Sequence, residues 1–138
     1  SNAATRHLKF VYKRPTHFPE LMIDENKFQQ VIMNFADNAI YYSKEGSKIT
    51  VGLREVDGKV EFTVKDTGIG VPAEQQEQLF SKFFRATNAR QQRPDGTGVG
   101  LFLAKKVIDA HGGSIVFESK EGKGSTFGFR LPIKKLQK

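Results

Sequence analysis

The sequence predicts an α/β fold, a two-layer sandwich in which a mixed, mostly antiparallel sheet carries its helices on one face. Three observations lead there. Amphipathic helical stripes run through residues 25–43 and 101–111; each is followed by a pair of alternating strands closed by a glycine turn; and one short strand precedes the first helix. The order β–α–ββ–loop–α–ββ covers one face of a sheet with helices and leaves the other wet. With 138 residues the chain suits a single domain with a real core.

Residues 8–13 (LKFVYK) read as the first strand, and Pro15 and Pro19 punctuate the loop behind it. Asp24 is placed to cap a helix that runs to about Ser43, with Gly46 as its stop. Within that helix Phe28, Val31, Ile32, Phe35, Ala36, Ala39 and Ile40 share a face, the expected core stripe. Strands 48–55 and 59–65 follow, joined by Asp57-Gly58, a strong hairpin signal. Val60, Phe62 and Val64 share one face, and Asp66 continues their parity, so its carboxylate is expected on the buried side.

Beyond Pro72 the chain turns polar. A short helix is expected there, carrying Phe80, Phe83 and Phe84 as an aromatic anchor on the core. A mobile loop with Arg85, Arg90 and Arg93 then follows. In helix 101–111, Leu101, Ala104, Val107, Ile108 and His111 fall at helical spacing. His111 suits the negative end of the dipole, and Gly112-Gly113 stop the helix. The last hairpin joins 114–119 to 125–131 across Glu121-Gly122-Lys123-Gly124.

Four stretches carry chemistry. Asp95-Gly96-Thr97-Gly98-Val99-Gly100-Leu101 is a glycine-rich run entering a helix. Glycines at alternate positions let amides approach an anion, and the helix adds unpaired N–H groups and a positive dipole end. Taken alone, the run also reads as a plain turn. Asn34, Asn38 and Tyr41 form a ridge beside the apolar stripe. The two asparagines are either a surface pair or offer carboxamide oxygens to a hydrated Mg²⁺. Asp66 opens the tight turn Asp66-Thr67-Gly68-Ile69-Gly70-Val71-Pro72. Its carboxylate either caps that turn or accepts from an exocyclic amine such as adenine N6, with Gly68 and Gly70 making room for a flat ring. Finally, the loop arginines above a phosphate-binding turn suit transient neutralisation of charge.

Composition narrows the field. Without cysteine there are no disulfides or thiolate metal sites, which points to a reducing compartment. His7, His17 and His111 lack ligand spacing, which argues against zinc. No apolar run approaches the roughly 18 residues of a membrane span and no signal peptide is visible, so no membrane contact is expected of this domain. The net charge of +7 is spread along the chain, clustering only in residues 134–138, which read as a solvated tail. With no base-reading helix and no aromatic–basic interleaving, nucleic acid is not the expected partner. Ser1-Asn2-Ala3 reads as a remnant of tag removal, leaving 4–138 as the domain of an excised fragment.

Five stretches stand in order between residues 34 and 127: Asn34-Phe35-Ala36-Asp37-Asn38-Ala39, then Asp66 to Pro72, Phe80-Ser81-Lys82-Phe83-Phe84-Arg85, Gly96 to Leu101, and Gly122-Lys123-Gly124-Ser125-Thr126-Phe127. In that order they resemble the asparagine box, first glycine box, phenylalanine box and second and third glycine boxes of one family. That family is the catalytic ATP-binding domain of sensor histidine kinases, in the superfamily shared with gyrase, mismatch-repair and heat-shock-chaperone ATPases. The resemblance spans nearly the whole domain and implies a Bergerat-type fold with a mobile ATP lid over about 72–98.

The resemblance also implies roles. Asn38 would ligate Mg²⁺ with Asn34 in support; Asp66 would accept from adenine N6, beside Gly68 and Gly70; and Tyr42 would lie near the nucleotide. Thr97, Gly98, Val99, Gly100 and Leu101 would surround the phosphates, Arg85 and Arg93 would reach toward them, and Thr126 would sit at the adenine end through water. The implied reaction moves the ATP γ-phosphoryl group to a histidine. No His followed by an acidic residue opens a helical hairpin here. The fragment is therefore expected to bind ATP without phosphorylating itself, its acceptor lying on a separate dimerisation domain. The implied parent is a homodimer, the downstream partner a response regulator's aspartate, and the location cytoplasmic, whether or not the parent is membrane-bound. One departure is Tyr41, where the family often has a lysine. The lost phosphate contact falls to a lid arginine or Lys82, or leaves a modest affinity. Two alternatives are a regulatory nucleotide-binding module without phosphotransfer and a serine-directed kinase of the same superfamily. Intact glycine boxes speak against the first, and the phenylalanine box against the second.

Overall fold

Alternation of apolar and polar residues along four neighbouring strands divides the sheet into a buried and a wet face. The computed structural model describes residues 9–13, 19–92 and 99–137. Its strands are β1 (Lys9–Lys13), β2 (Lys48–Val56), β3 (Lys59–Lys65), β4 (Ser114–Lys120) and β5 (Gly124–Pro132). They form a five-stranded sheet in the order β1-β2-β3-β5-β4, with β1 parallel to β2 and every other neighbour antiparallel. The helices are α1 (Glu25–Tyr42), α2 (Thr87–Gln92), α3 (Gly100–Ala110) and α4 (Ile133–Leu136), with a 3₁₀ turn at Ala73–Gln78. The expected sandwich is therefore the observed one.

The core lies between the inner sheet face and α1 with α3. Ile49 of β2, Phe62 and Val64 of β3, and Phe127, Phe129 and Leu131 of β5 meet Phe28, Val31, Phe35 and Ala39 of α1 and Ala104 and Ile108 of α3. Aromatic pairs fasten helix to sheet, with Phe35 stacked on Phe127 at 5.8 Å and Phe28 edge-on to Phe129 at 5.1 Å. The buried stripe of α1 is narrower than expected. Ala36 is half-buried, and Ile32 is 37% exposed because it lines an apolar groove beside Val51 and Leu53 that no helix covers among the described residues.

Local rules explain most ends. Asp24 accepts from the Lys27 amide as an N-cap. α1 stops at its C-cap Ser43, and Gly46 (φ +81°) turns the chain into β2 and is not the helix stop. Asp57 (φ 50°) and Gly58 (φ 73°) are both left-handed, as a type I′ hairpin requires. His111 does more than cap α3. Its Nδ1 donates to the Val107 carbonyl at 2.8 Å, its Nε2 accepts from the Asp24 amide at 3.1 Å, and its ring meets Phe28 edge-on, so it ties the start of α1 to the end of α3.

Three expectations need correcting. The basic C-terminus is not a solvated tail: α4 folds back, the Met22 amide donates to the Leu136 carbonyl at 2.6 Å, and Leu136 packs on the core, leaving Lys134 and Lys135 exposed. The segment expected as an irregular loop after Arg85 contains α2. In the aromatic cluster, Phe80 packs edge-on against Phe117 and Phe127 and Phe84 against the core, whereas Phe83 is 65% exposed.

On the wet face the sequence reading missed Glu61. It is 6% exposed and bridges Arg54 Nε at 2.8 Å and Arg130 Nε at 2.7 Å. The hydrogen bond from Arg54, with that from Arg130, holds its carboxyl below the ordinary value against the opposing effect of burial. Among the described residues no helix is long and apolar enough to cross a membrane. The expectations for Ser1-Asn2-Ala3, His7, Pro15, His17 and Lys138 fall outside the described residues.

Phe35→Ala should lower unfolding free energy by about 3–5 kcal/mol in a urea titration. Ile32→Ala, on the open flank, should cost under about 1 kcal/mol.

Candidate functional site

Asp66 follows β3 with the parity of Phe62 and Val64, and it is 5% exposed. A buried carboxylate needs donors, and it has two: Oδ1 accepts from the Gly68 amide at 2.9 Å and from the Ser125 amide at 3.2 Å. Burial pushes its carboxyl above the ordinary value, and those two amides pull it part of the way back.

The loop after Asp66 is pressed onto its surroundings. A Cβ on Gly68 would stand 2.1 Å from the Tyr42 carbonyl oxygen, which also accepts from the Ile69 amide at 3.2 Å. Gly70 (φ +67°) would meet the Lys120 carbonyl oxygen at 2.2 Å. These glycines therefore make room for neighbouring backbone, and Gly70 also lines the cleft described next.

This loop, α1, Leu79 and Phe84 to Ala86 with Ala89 of α2, the start of α3, and Ser125 and Phe127 of β5 enclose a cleft of about 420 Å³. The α1 wall carries Asn34, Asp37, Asn38 and Tyr42. The ridge thus runs 34–38–42 and not to Tyr41, which is 37% exposed and off the wall. Asn34, Asn38 and Tyr42 lie on one i+4 row, and the Gly68 loop packs on the Tyr42 carbonyl at its end. Ile69, Val71, Leu79, Phe84 and Phe127 supply apolar surface.

Arg85 reaches the same cleft, with Nη2 donating to Tyr42 Oη at 3.3 Å and to the Ala89 carbonyl at 3.1 Å. Its segment is clamped from below. Asn88 Nδ2 donates to the Gly70 carbonyl at 3.0 Å, and Gln75 and Thr87 exchange two hydrogen bonds. Lys82 is not on the wall; its ammonium lies over the rings of Phe83 and Phe102.

Val99, Gly100 and Leu101 line the cleft where α3 begins. Among the described residues no side chain caps this helix, and no acidic residue occupies its first turn. The positive end of its dipole and its first-turn backbone thus suit an anion. Asn34 Nδ2 donates to the Gly100 carbonyl at 3.2 Å, fastening this helix start to α1.

Among the expected site residues, the structure brings Asn34, Asn38, Tyr42, Asp66, Gly70, Arg85, Val99, Gly100 and Leu101 to one cleft. Gly68 stands behind it, against α1. Arg93, Thr97 and Gly98 lie outside the described residues. Thr126 is a correction: Ser125 and Phe127 line the cleft, so Thr126 between them points to the opposite face of the sheet, paired in register with Lys65 and Glu118. The missed residue is Ser125, which the alternation through Phe127 would have found. Asp37 was missed as well, and only its place on the helix wall reveals it.

The carboxamides of Asn34 and Asn38 and the carboxylate of Asp37 are hard oxygen donors on one wall, which fits Mg²⁺. Among the described residues no three His, Cys, Asp or Glu side chains form a metal cage. An ion here would take its other ligands from water and a bound anion.

Residues 23–135 match the family described as histidine kinase-, DNA gyrase B-, and HSP90-like ATPase. The chain is 40% identical over 134 residues to the sensor histidine kinase WalK of Bacillus subtilis (strain 168), covering 96% of this chain but 22% of that protein. Full-length ShkA in complex with AMPPNP superposes with a TM-score of 0.80 at 27% identity, over 95% of this chain and 27% of that one. Histidine kinase ThkA in complex with the response regulator protein TrrA gives a TM-score of 0.75 at 27% identity, over 94% of this chain and 35% of that one.

Two carboxylates should respond to pH with opposite signs. Asp66, raised in the fold, costs stability at neutral pH, and the cost is relieved as pH falls through its folded value. Glu61, lowered in the fold, contributes stability above the ordinary carboxylate range and loses it as pH falls through its folded value. In urea midpoints measured without ligand, Asp66→Asn should equal or exceed the unaltered chain at pH 7 and lose any advantage in acid. The deficit of Glu61→Gln should be largest at pH 7 and vanish in acid.

Proposed function

The chain belongs to the histidine kinase-, DNA gyrase B- and HSP90-like ATPase family, and from that premise we propose that its cleft binds Mg·ATP and delivers the γ-phosphoryl group to a histidine on another domain. The observation that carries this reading is a single cleft holding both a buried carboxylate, Asp66, and the uncapped start of α3. The first suits an amine donor on a flat ring, and the second suits phosphate.

In this reading Asp66 accepts from adenine N6 while apolar side chains such as Ile69 and Phe127 cover the ring faces. Val99, Gly100 and Leu101 hold the phosphates, joined by Thr97 and Gly98. Arg85 and Arg93 come from a lid spanning about 72–98, in a domain spanning 4–138. Asn38, supported by Asn34, holds Mg²⁺, which when bound neutralises phosphate charge. Transfer forms a bond from the histidine nitrogen to the γ-phosphorus and breaks the bond to the oxygen that leaves with ADP. What this chain's residues contribute is orientation and charge neutralisation. The histidine belongs to a dimerisation domain elsewhere in a homodimeric, cytoplasmic kinase module, and a response regulator aspartate receives the group next. The ThkA–TrrA complex supports that partner class.

Titration calorimetry with Mg·ADP tests the site. Asp66→Asn should weaken binding by about tenfold to a hundredfold, as for loss of a hydrogen bond to a charged group. Asn38→Asp should change the magnesium dependence of affinity. Unaltered titrations in both would overturn the placement. Mixing the chain with its phosphoacceptor domain, ATP and Mg²⁺ should yield acid-labile phosphate on histidine; binding without transfer would leave a regulatory module.

A further inference from the structure

Beside Asp66, the hydrogens of two serine hydroxyls can be assigned by counting. Ser119 Oγ accepts from the Val71 amide at 2.8 Å and lies 3.0 Å from the Gly124 carbonyl oxygen. A carbonyl only accepts, so the single Ser119 hydroxyl hydrogen goes to Gly124. Ser119 and Ser125 oxygens are 2.8 Å apart. Ser119 has no hydrogen left for that contact, so Ser125 must donate. The hydroxyl of Ser119 is then saturated, with one hydrogen given and two lone pairs filled.

The assignment is rigidly supported. Gln76 Nε2 donates both to the Val71 carbonyl at 3.0 Å and to the Ser119 carbonyl at 3.1 Å, fixing these backbones together. Gly124, whose Cβ would stand 2.2 Å from the Asp66 carbonyl oxygen, brings β5 close enough for its neighbour Ser125 to bond Asp66. Ser125 lines the cleft with its only hydroxyl hydrogen already committed, and the Asp66 side chain offers acceptors alone when ionised. The side chains of Ser125 and Asp66 therefore present lone pairs to this corner and no hydrogen.

We infer that Ser119 is a specificity-determining positioning residue: by taking the Ser125 hydroxyl hydrogen it keeps Ser125 an acceptor, so that with Asp66 the corner admits a 6-amino purine and rejects a 6-oxo purine. The inference rests on the nucleotide reading above and deepens it. A 6-amino group carries two hydrogens for two acceptors, whereas a 6-oxo group sets its oxygen against oxygens. Freed from Ser119, the Ser125 hydroxyl can turn its hydrogen toward a 6-oxo group, directly or through a water.

The test is the ratio of dissociation constants for IDP and ADP, measured with Mg²⁺. Ser119→Ala should lower that ratio about threefold to tenfold, the range of one hydrogen bond. Ser119→Thr, which keeps the hydroxyl, should preserve it, and Ser119→Val, with the same shape but no hydroxyl, should lower it. In a Ser125→Ala background, Ser119→Ala should add nothing. An unchanged ratio in folded Ser119→Ala and Ser119→Val overturns the inference, as does an equal fall in the Ser125→Ala background. Equal ratios in the unaltered chain and Asp66→Asn would instead remove the nucleotide reading, and this inference with it.

Discussion

The Asp66 carboxylate, held by the amides of Gly68 and Ser125, decides how three distant segments meet. A charge taken out of water is tolerated only where donors converge on it, and these donors come from its own loop and from β5. Once Gly68 turns in to donate, its bare Cα lies against the Tyr42 carbonyl, so the end of α1 is fixed by the same interaction. Ser125 carries the constraint into β5 and, through its hydroxyl, to Ser119 in β4. The remaining walls of the cleft stand on this junction.

The other end of the cleft is built on an opposite principle, a helix start that no side chain caps among the described residues. Its first turn carries no acidic residue, and the tether from Asn34 to Gly100 uses a carbonyl and not an amide. A site with acceptors at one end and amides at the other suits a ligand with an amine-bearing ring and an anionic tail. The basic flank at Arg85 and Tyr42 adds a cation whose hydrogen bonds can be exchanged for phosphate oxygens.

Much of this was legible in sequence because it obeys short-range rules. The strand alternation, the I′ turn at Asp57-Gly58 and the cap at Asp24 each follow from a few adjacent residues. Asp66 was found by parity alone, and the same parity carried into the last strand would have chosen Ser125 over Thr126. What escaped depends on tertiary contact. Ile32 has the right periodicity but overlooks a flank that no helix covers among the described residues, and the wall follows the i+4 row to Tyr42, where a glycine of a distant loop docks, and not to Tyr41. The Arg54–Glu61–Arg130 bridge joins three strands, and no local pattern announces it. Likewise, the fold-back of α4 depends on a backbone bond between residues 22 and 136.

The most direct measurement is a crystal structure of the chain grown with Mg²⁺ and AMPPNP. The account predicts the purine amino group at hydrogen-bond distance from the Asp66 carboxylate, with the phosphates against the start of α3. A purine seated elsewhere, or phosphates remote from Val99–Leu101, would contradict it.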